Sequence, residues 1–118
     1  MNTTIYHNPR CSKSRATLVL LREAGIEPDV IDYLNTPLNR ETLGKTIAAT
    51  GLSVHELLRS GEEAYKRLAL FDEGLSDAAL LDAIIANPIL LNRPIVVTDK
   101  GARLCRPPEL VHEILPSA

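Results

Sequence analysis

The sequence predicts an α/β fold, a mixed four-stranded sheet flanked by helices, and three observations carry that reading. Two β-prone stretches near the N-terminus enclose a helical one. The middle of the chain then keeps helical periodicity with no strand in it. Two further β-prone runs, joined by Asp99-Lys100-Gly101, lead into a last helical stretch. The order is therefore β-α-β, a helical block, then β-β-α. A length of 118 residues suits one domain. A single domain over residues 1–118 is expected, with a helical insertion over about 37–90.

Each element has a local reason. Thr3-Thr4-Ile5-Tyr6 is a short β-prone run that Asn8-Pro9 breaks. Ser14 to Ala24 reads as a helix, and Gly25 is placed to end it in the left-handed conformation. Asp29 to Tyr33 alternates polar and apolar residues, as a strand does. Asn39 caps a helix that would bury Leu43, Ile47 and Ala48 before Gly51 stops it. Ser53 and Glu56 form a capping box, which predicts a helix carrying Leu57, Leu58 and Arg59. After Gly61, Glu62 to Leu68 adds a turn or two. Ser76 caps a helix with Leu80, Leu81, Ile84 and Ile85 on its buried side, ended by Asn87-Pro88. Ile95 to Thr98 and Ala102 to Cys105 make the hairpin, and Pro107-Pro108 begins a final helix through Leu110, Val111, Ile114 and Leu115.

Composition excludes several classes of function. A net charge of −2 lacks the basic surplus of a general nucleic-acid binder, and one Phe with no Trp leaves little for base stacking. Any positive site must be local. No apolar run approaches the roughly 20 residues of a membrane span, and no leader pattern opens the chain. A cytoplasmic protein is expected. Its two cysteines, Cys11 and Cys105, are then more apt to be thiols than a structural disulfide.

Cys11 lies between a strand and a helix. The free amides and dipole of a helix N-terminus favour an anion, so a thiolate there is stabilised against the thiol. Arg10, Lys13 and Arg15 add positive charge nearby in sequence. An unperturbed cysteine is about 3% thiolate at neutral pH. Lowering its pKa by roughly two makes it mostly thiolate, a preference of about 2.7 kcal/mol. Its polar and charged neighbours argue against an inert, buried cysteine. Cys105, at the end of an apolar strand, reads as a packing residue.

Spacing narrows the chemistry further. The position three after Cys11 is Ser14, so the motif is monothiol and a resolving thiol must come from Cys105 or from another molecule. A phosphatase loop would need Arg six residues after the cysteine, where Thr17 stands. The three histidines and two cysteines show no close pairing, so no metal site is expected.

The stretch His7-Asn8-Pro9-Arg10-Cys11-Ser12-Lys13-Ser14-Arg15 strongly resembles the glutaredoxin- and glutathione-coupled arsenate reductase family, whose fold is thioredoxin-like. Leu57-Leu58-Arg59, Asn92-Arg93-Pro94-Ile95-Val96-Val97 and Arg103-Leu104-Cys105-Arg106-Pro107 resemble its later signatures, in the same order. The resemblance implies that Cys11 is the nucleophile and that Arg59, Arg93 and Arg106 bind the oxyanion. It implies that His7 and Ser14 tune or hydrogen-bond the cysteine, with Arg15 close by in a supporting role. It also implies a cis peptide at Arg93–Pro94, facing the cysteine. Such a set makes physical sense, because guanidinium groups bind tetrahedral oxyanions through paired N–H donors and keep their charge. The implied reaction is covalent. Cys11 attacks arsenate, glutathione enters as the second thiol, arsenic is reduced, glutaredoxin restores Cys11 and arsenite leaves by hydrolysis. No bound cofactor is implied, and the partners are arsenate, glutathione and glutaredoxin.

Two other functions fit parts of this pattern. A glutathione-dependent thiol-disulfide oxidoreductase without arsenate activity would share Cys11 and the fold; the arginine set argues for arsenate. A non-enzymatic redox regulator would need a two-cysteine switch, which Ser14 removes at the usual spacing and which leaves only a Cys11–Cys105 pair.

Overall fold

The first strand, β1 (Thr4–His7), lies at the centre of a four-stranded sheet of order β2-β1-β3-β4. It pairs in parallel with β2 (Asp29–Asp32), which puts Ile5 opposite Val30 and His7 opposite Asp32. On its other side it runs antiparallel to β3 (Ile95–Thr98), with Ile5 opposite Val96, and β3 runs antiparallel to β4 (Gly101–Leu104). This is the expected mixed sheet, and its arrangement is thioredoxin-like. The structure, a computed structural model, describes residues 2–116. Its contacts group into two compact units, one made by the chain up to Thr36 together with the chain from Arg93 onward, the other by Pro37–Asn92.

In the first unit the parallel β1–β2 pair requires a crossover, and α1 (Ser12–Glu23) provides it. Its buried positions are Ser14, Thr17 and Leu21, an i, i+3, i+7 stripe that is polar at the N-terminal end and apolar further on. Gly25 follows the helix at φ +81°, the left-handed turn that a side chain would strain. The core under the sheet contains Ile5, Leu21, Val96, Cys105, Val111 and Ile114. Thr98 is buried beside it and donates its hydroxyl to the Ile114 carbonyl at 2.6 Å, which ties the sheet to the C-terminal segment.

That segment, Pro108–Ile114, is a 3-10 helix and not the expected α-helix. Val111 and Ile114 are its buried residues, three apart. A three-residue spacing serves both helix types, so periodicity could not separate them.

In the second unit, α2 (Arg40–Thr50) starts where the Asn39 side chain accepts the Thr42 amide and stops at Gly51, φ +78°. It buries Leu43, Thr46 and Ile47; Ala48, expected inside, is exposed. The capping box forms, with Ser53 and Glu56 exchanging bonds at 3.1 Å, yet only a single 3-10 turn follows, His55–Leu57. Leu58 turns extended and bridges Leu91, while the Arg59 amide donates to the Leu90 carbonyl at 2.8 Å. Non-local pairing thus overrode the local helix signal, and Arg59 is not helical. A short α3 (Glu63–Arg67) and α4 (Asp77–Ala86, capped by Ser76) complete the unit. Leu80 and Ile84 of α4 are buried, whereas Leu81 and Ile85 are only half-buried.

Candidate active site

Cys11 occupies the N-cap position of α1, with extended backbone at φ −90° and ψ 121°. An N-cap residue turns its side chain towards the first unpaired amides of the helix. The loop before it is tightly held. The Cys11 amide donates to the Asn8 carbonyl and the Arg15 amide to the Cys11 carbonyl, both at 3.0 Å. Asn8 is itself buried, and its side-chain oxygen accepts the Arg10 amide at 2.9 Å.

The half-buried sulfur has a lowered pKa. Burial pushes it up, but the nearby amides of Ser14 and Lys13 and the side chain and charge of Arg93 outweigh burial. Arg106 Nη1 lies 3.9 Å from Sγ, the outer limit for a bond to sulfur, and donates to the Arg93 carbonyl at 3.0 Å. Two arginines remote in sequence therefore converge on the thiol. Arg15, expected beside it, instead donates Nη1 to the Pro9 carbonyl at 2.8 Å and braces the loop. The Arg93–Pro94 peptide is cis, as is Arg106–Pro107, which the sequence did not single out.

Ser14 takes part twice. Its amide helps to lower the thiol's pKa, while its buried hydroxyl lies 2.6 Å from His7 Nδ1 and accepts the Asn8 amide at 3.1 Å. Burial lowers the pKa of His7; Asp32 opposes that, and Arg22 and Arg15 add to it. The two shifts act alike on stability. A thiolate favoured by folding contributes stability above the ordinary cysteine value that is lost as pH falls through the folded value. A histidine lowered from 6.5 also loses stability on acidification, because the unfolded chain takes up the proton first. Replacing Ser14 with Ala is expected to cost about 1–3 kcal/mol in chemical denaturation, since it strips partners from two buried groups. The turn that presents the Ser14 and Lys13 amides should also loosen, so the Cys11 pKa is expected to rise.

Cys105 behaves differently. It is fully buried in the core, burial pushes its thiol up to about 12, and Sγ makes a 3.6 Å contact to the Arg103 carbonyl. Such a thiol is a poor nucleophile and is turned away from solvent.

Arg59 lies in the second unit. There it is half-buried, with Nε 3.3 Å from Glu62 and Nη1 3.4 Å from the Asn92 side-chain oxygen. Among the described residues no group of three or more His, Cys, Asp or Glu could hold a metal ion, and no helix is long and apolar enough to cross a membrane.

Sequence reasoning missed Asn8 and Asp32. Asn8 read only as a strand breaker, although an Asn before a turn commonly bonds backbone two residues on, as it does here. Asp32 read only as a polar strand position.

The sequence profile of the ArsC family matches residues 6–114. The chain is 53% identical over 117 residues to a protein of Escherichia coli strain K12 named arsenate reductase, covering 99% of this chain and 83% of that one. A second protein of the same strain, named uncharacterized protein YfgD, is also 53% identical, over 112 residues and 94% of each chain. Among solved structures, arsenate reductase from Vibrio cholerae superposes with a TM-score of 0.93 at 51% identity, covering 98% of both chains. The profile match across most of the chain and identities above one half establish kinship: the chain belongs to the ArsC family.

Proposed function

We propose that this protein reduces arsenate to arsenite, with the Cys11 thiolate as nucleophile and glutathione and glutaredoxin as the source of electrons. The carrying observation is the sulfur itself, set at a helix N-terminus with a lowered pKa and with Arg106 Nη1 3.9 Å away. Relatives named arsenate reductase, one at 53% identity and one with a TM-score of 0.93, support the choice of substrate.

An anion attacking an anion needs neutralising charge, and these guanidinium groups supply it where the oxygens of arsenate would sit. The thiolate forms a sulfur–arsenic bond and displaces one oxygen, which leaves as water after taking up protons. Glutathione brings the second thiol. Glutathione sulfur bonds to Cys11 Sγ as the sulfur–arsenic bond breaks, the bonding pair stays on arsenic, and arsenic falls from the pentavalent to the trivalent state and leaves as arsenite. Glutaredoxin then reduces the Cys11–glutathione mixed disulfide and restores the thiol. The family resemblance assigns Arg59 to the same oxyanion. A glutathione-rich cytoplasm is the setting this reaction calls for.

The test follows NADPH consumption by the purified protein with glutathione, glutaredoxin and glutathione reductase. Turnover should depend on arsenate. Arsenate-independent turnover of a glutathione mixed disulfide would make the protein a general thiol-disulfide oxidoreductase instead.

A further inference from the structure

Asp32 ends β2 directly across from His7 in the parallel ladder. Residues paired in register send their side chains to the same face of a sheet, so carboxylate and imidazole are neighbours. Asn35 Nδ2 donates to Asp32 Oδ2 at 2.9 Å, whereas Oδ1 is buried with no hydrogen-bond donor from the described residues. A carboxylate oxygen withdrawn from water in this way is costly unless a positive or N–H-bearing group faces it.

His7 is the partner of Asp32 in the ladder; no hydrogen bond joins the ring to Oδ1, so the carboxylate acts on the ring through its charge. The ring Nδ1 is engaged by the Ser14 hydroxyl, which leaves Nε2 to carry the ring hydrogen. The charged groups acting on the ring are Asp32 from β2 and Arg15 and Arg22 from α1, and Asp32 alone of the three favours a protonated ring. A neutral imidazole has one N–H, and its place is set by the partner of the other nitrogen. With hydrogen on Nε2, Nδ1 accepts the Ser14 hydroxyl proton while Ser14 Oγ accepts the Asn8 amide. The Ser14 hydroxyl and the Asn8 and Cys11 amides are then all satisfied.

We propose that Asp32 is a positioning residue for Cys11: it holds His7 in the form that accepts the Ser14 hydroxyl, and so locks the helical turn whose amides face the sulfur. The proposal builds on Cys11 as the nucleophile. Without the carboxylate, the ring can place its hydrogen on Nδ1 and donate to Ser14 Oγ, which reverses the bond and leaves the Ser14 hydroxyl proton without its acceptor. The Ser14 side chain is then held differently, and the Ser14 and Lys13 amides are set less firmly against the thiolate. The expected outcome is a less acidic Cys11, with no contact between Asp32 and substrate.

The test reads the thiol and the ring separately from arsenate turnover. In the wild-type protein, nitrogen-15 NMR should show His7 with hydrogen on Nε2; a ring carrying it on Nδ1 would overturn the proposal without any variant. Alkylation of Cys11 by iodoacetamide, followed against pH, should shift to higher pH in Asp32→Asn. At neutral pH the alkylation rate should fall by about threefold to tenfold, as a pKa change of up to about one implies. In a His7→Ala background, Asp32→Asn should change the profile no further, because the effect runs through the ring. An unchanged profile in Asp32→Asn, or an equal shift with and without His7, would overturn it. Because no arsenate is used, a protein inactive on arsenate could still show the predicted shift, and an arsenate reductase could still lack it.

Discussion

Cys11→Ser is expected to lower arsenate turnover by at least about 10³-fold while leaving the fold in place. Serine is nearly isosteric at this half-buried N-cap and is among the preferred residues there, so the helix start should hold or improve. Chemistry is what fails. A hydroxyl is not ionised at neutral pH by a helix end and an arginine, and an oxygen cannot form the sulfur–sulfur bond through which two electrons reach arsenic. Circular dichroism should be unchanged, while NADPH consumption with arsenate should fall to the rate without enzyme. The same replacement at Cys105 is the control. That thiol is buried and held protonated, so Cys105→Ser should keep most of the turnover, with its effect seen in thermal stability.

Arg93 should show the next largest effect. It acts on the Cys11 thiol and, in the proposed mechanism, binds the oxygens of arsenate, so Arg93→Ala is expected to lower kcat/KM for arsenate by about 10²–10³-fold. The pH profile adds a second signature. Burial raises the Cys11 pKa and Arg93 is a principal counterweight, so removing it should move the acidic limb of activity to higher pH. Arg93→Lys should recover part of the pH shift but little of the arsenate affinity, since an ammonium is a point charge without the planar two-point fork. Arg106→Lys should mainly raise KM. One Arg106 nitrogen already serves the Arg93 carbonyl, and a lysine occupied there has no second planar donor for the oxyanion.

What the sequence displayed depends on how local the signal was. The sheet was legible because β1, β2 and the hairpin β3–β4 are bounded by Asn8-Pro9, Gly25 and Asp99-Lys100-Gly101, each a turn signal acting within a few residues. Cys11 at a helix start was legible for the same reason. The helix expected through Arg59 failed because its capping box guarantees a start and not a length, and Leu58 gains more by bridging Leu91. The charges near Cys11 in sequence were the wrong ones to weigh. Arg15 turns back to the Pro9 carbonyl, whereas Arg93 and Arg106 reach the sulfur across the sheet. Neighbours brought by β-pairing, as Asp32 is brought to His7, follow from register, and register is set by the whole sheet.

The central claim is that Cys11 bonds covalently in the course of reducing arsenate. Mass spectrometry of the protein incubated anaerobically with arsenate and reduced glutathione, without glutaredoxin, tests it most directly. The account predicts an arsenate-dependent adduct of arsenic, glutathione or both on the peptide bearing Cys11, lost when glutaredoxin is added. Turnover of arsenate with Cys11 unmodified throughout, or with the adduct on Cys105, would contradict it.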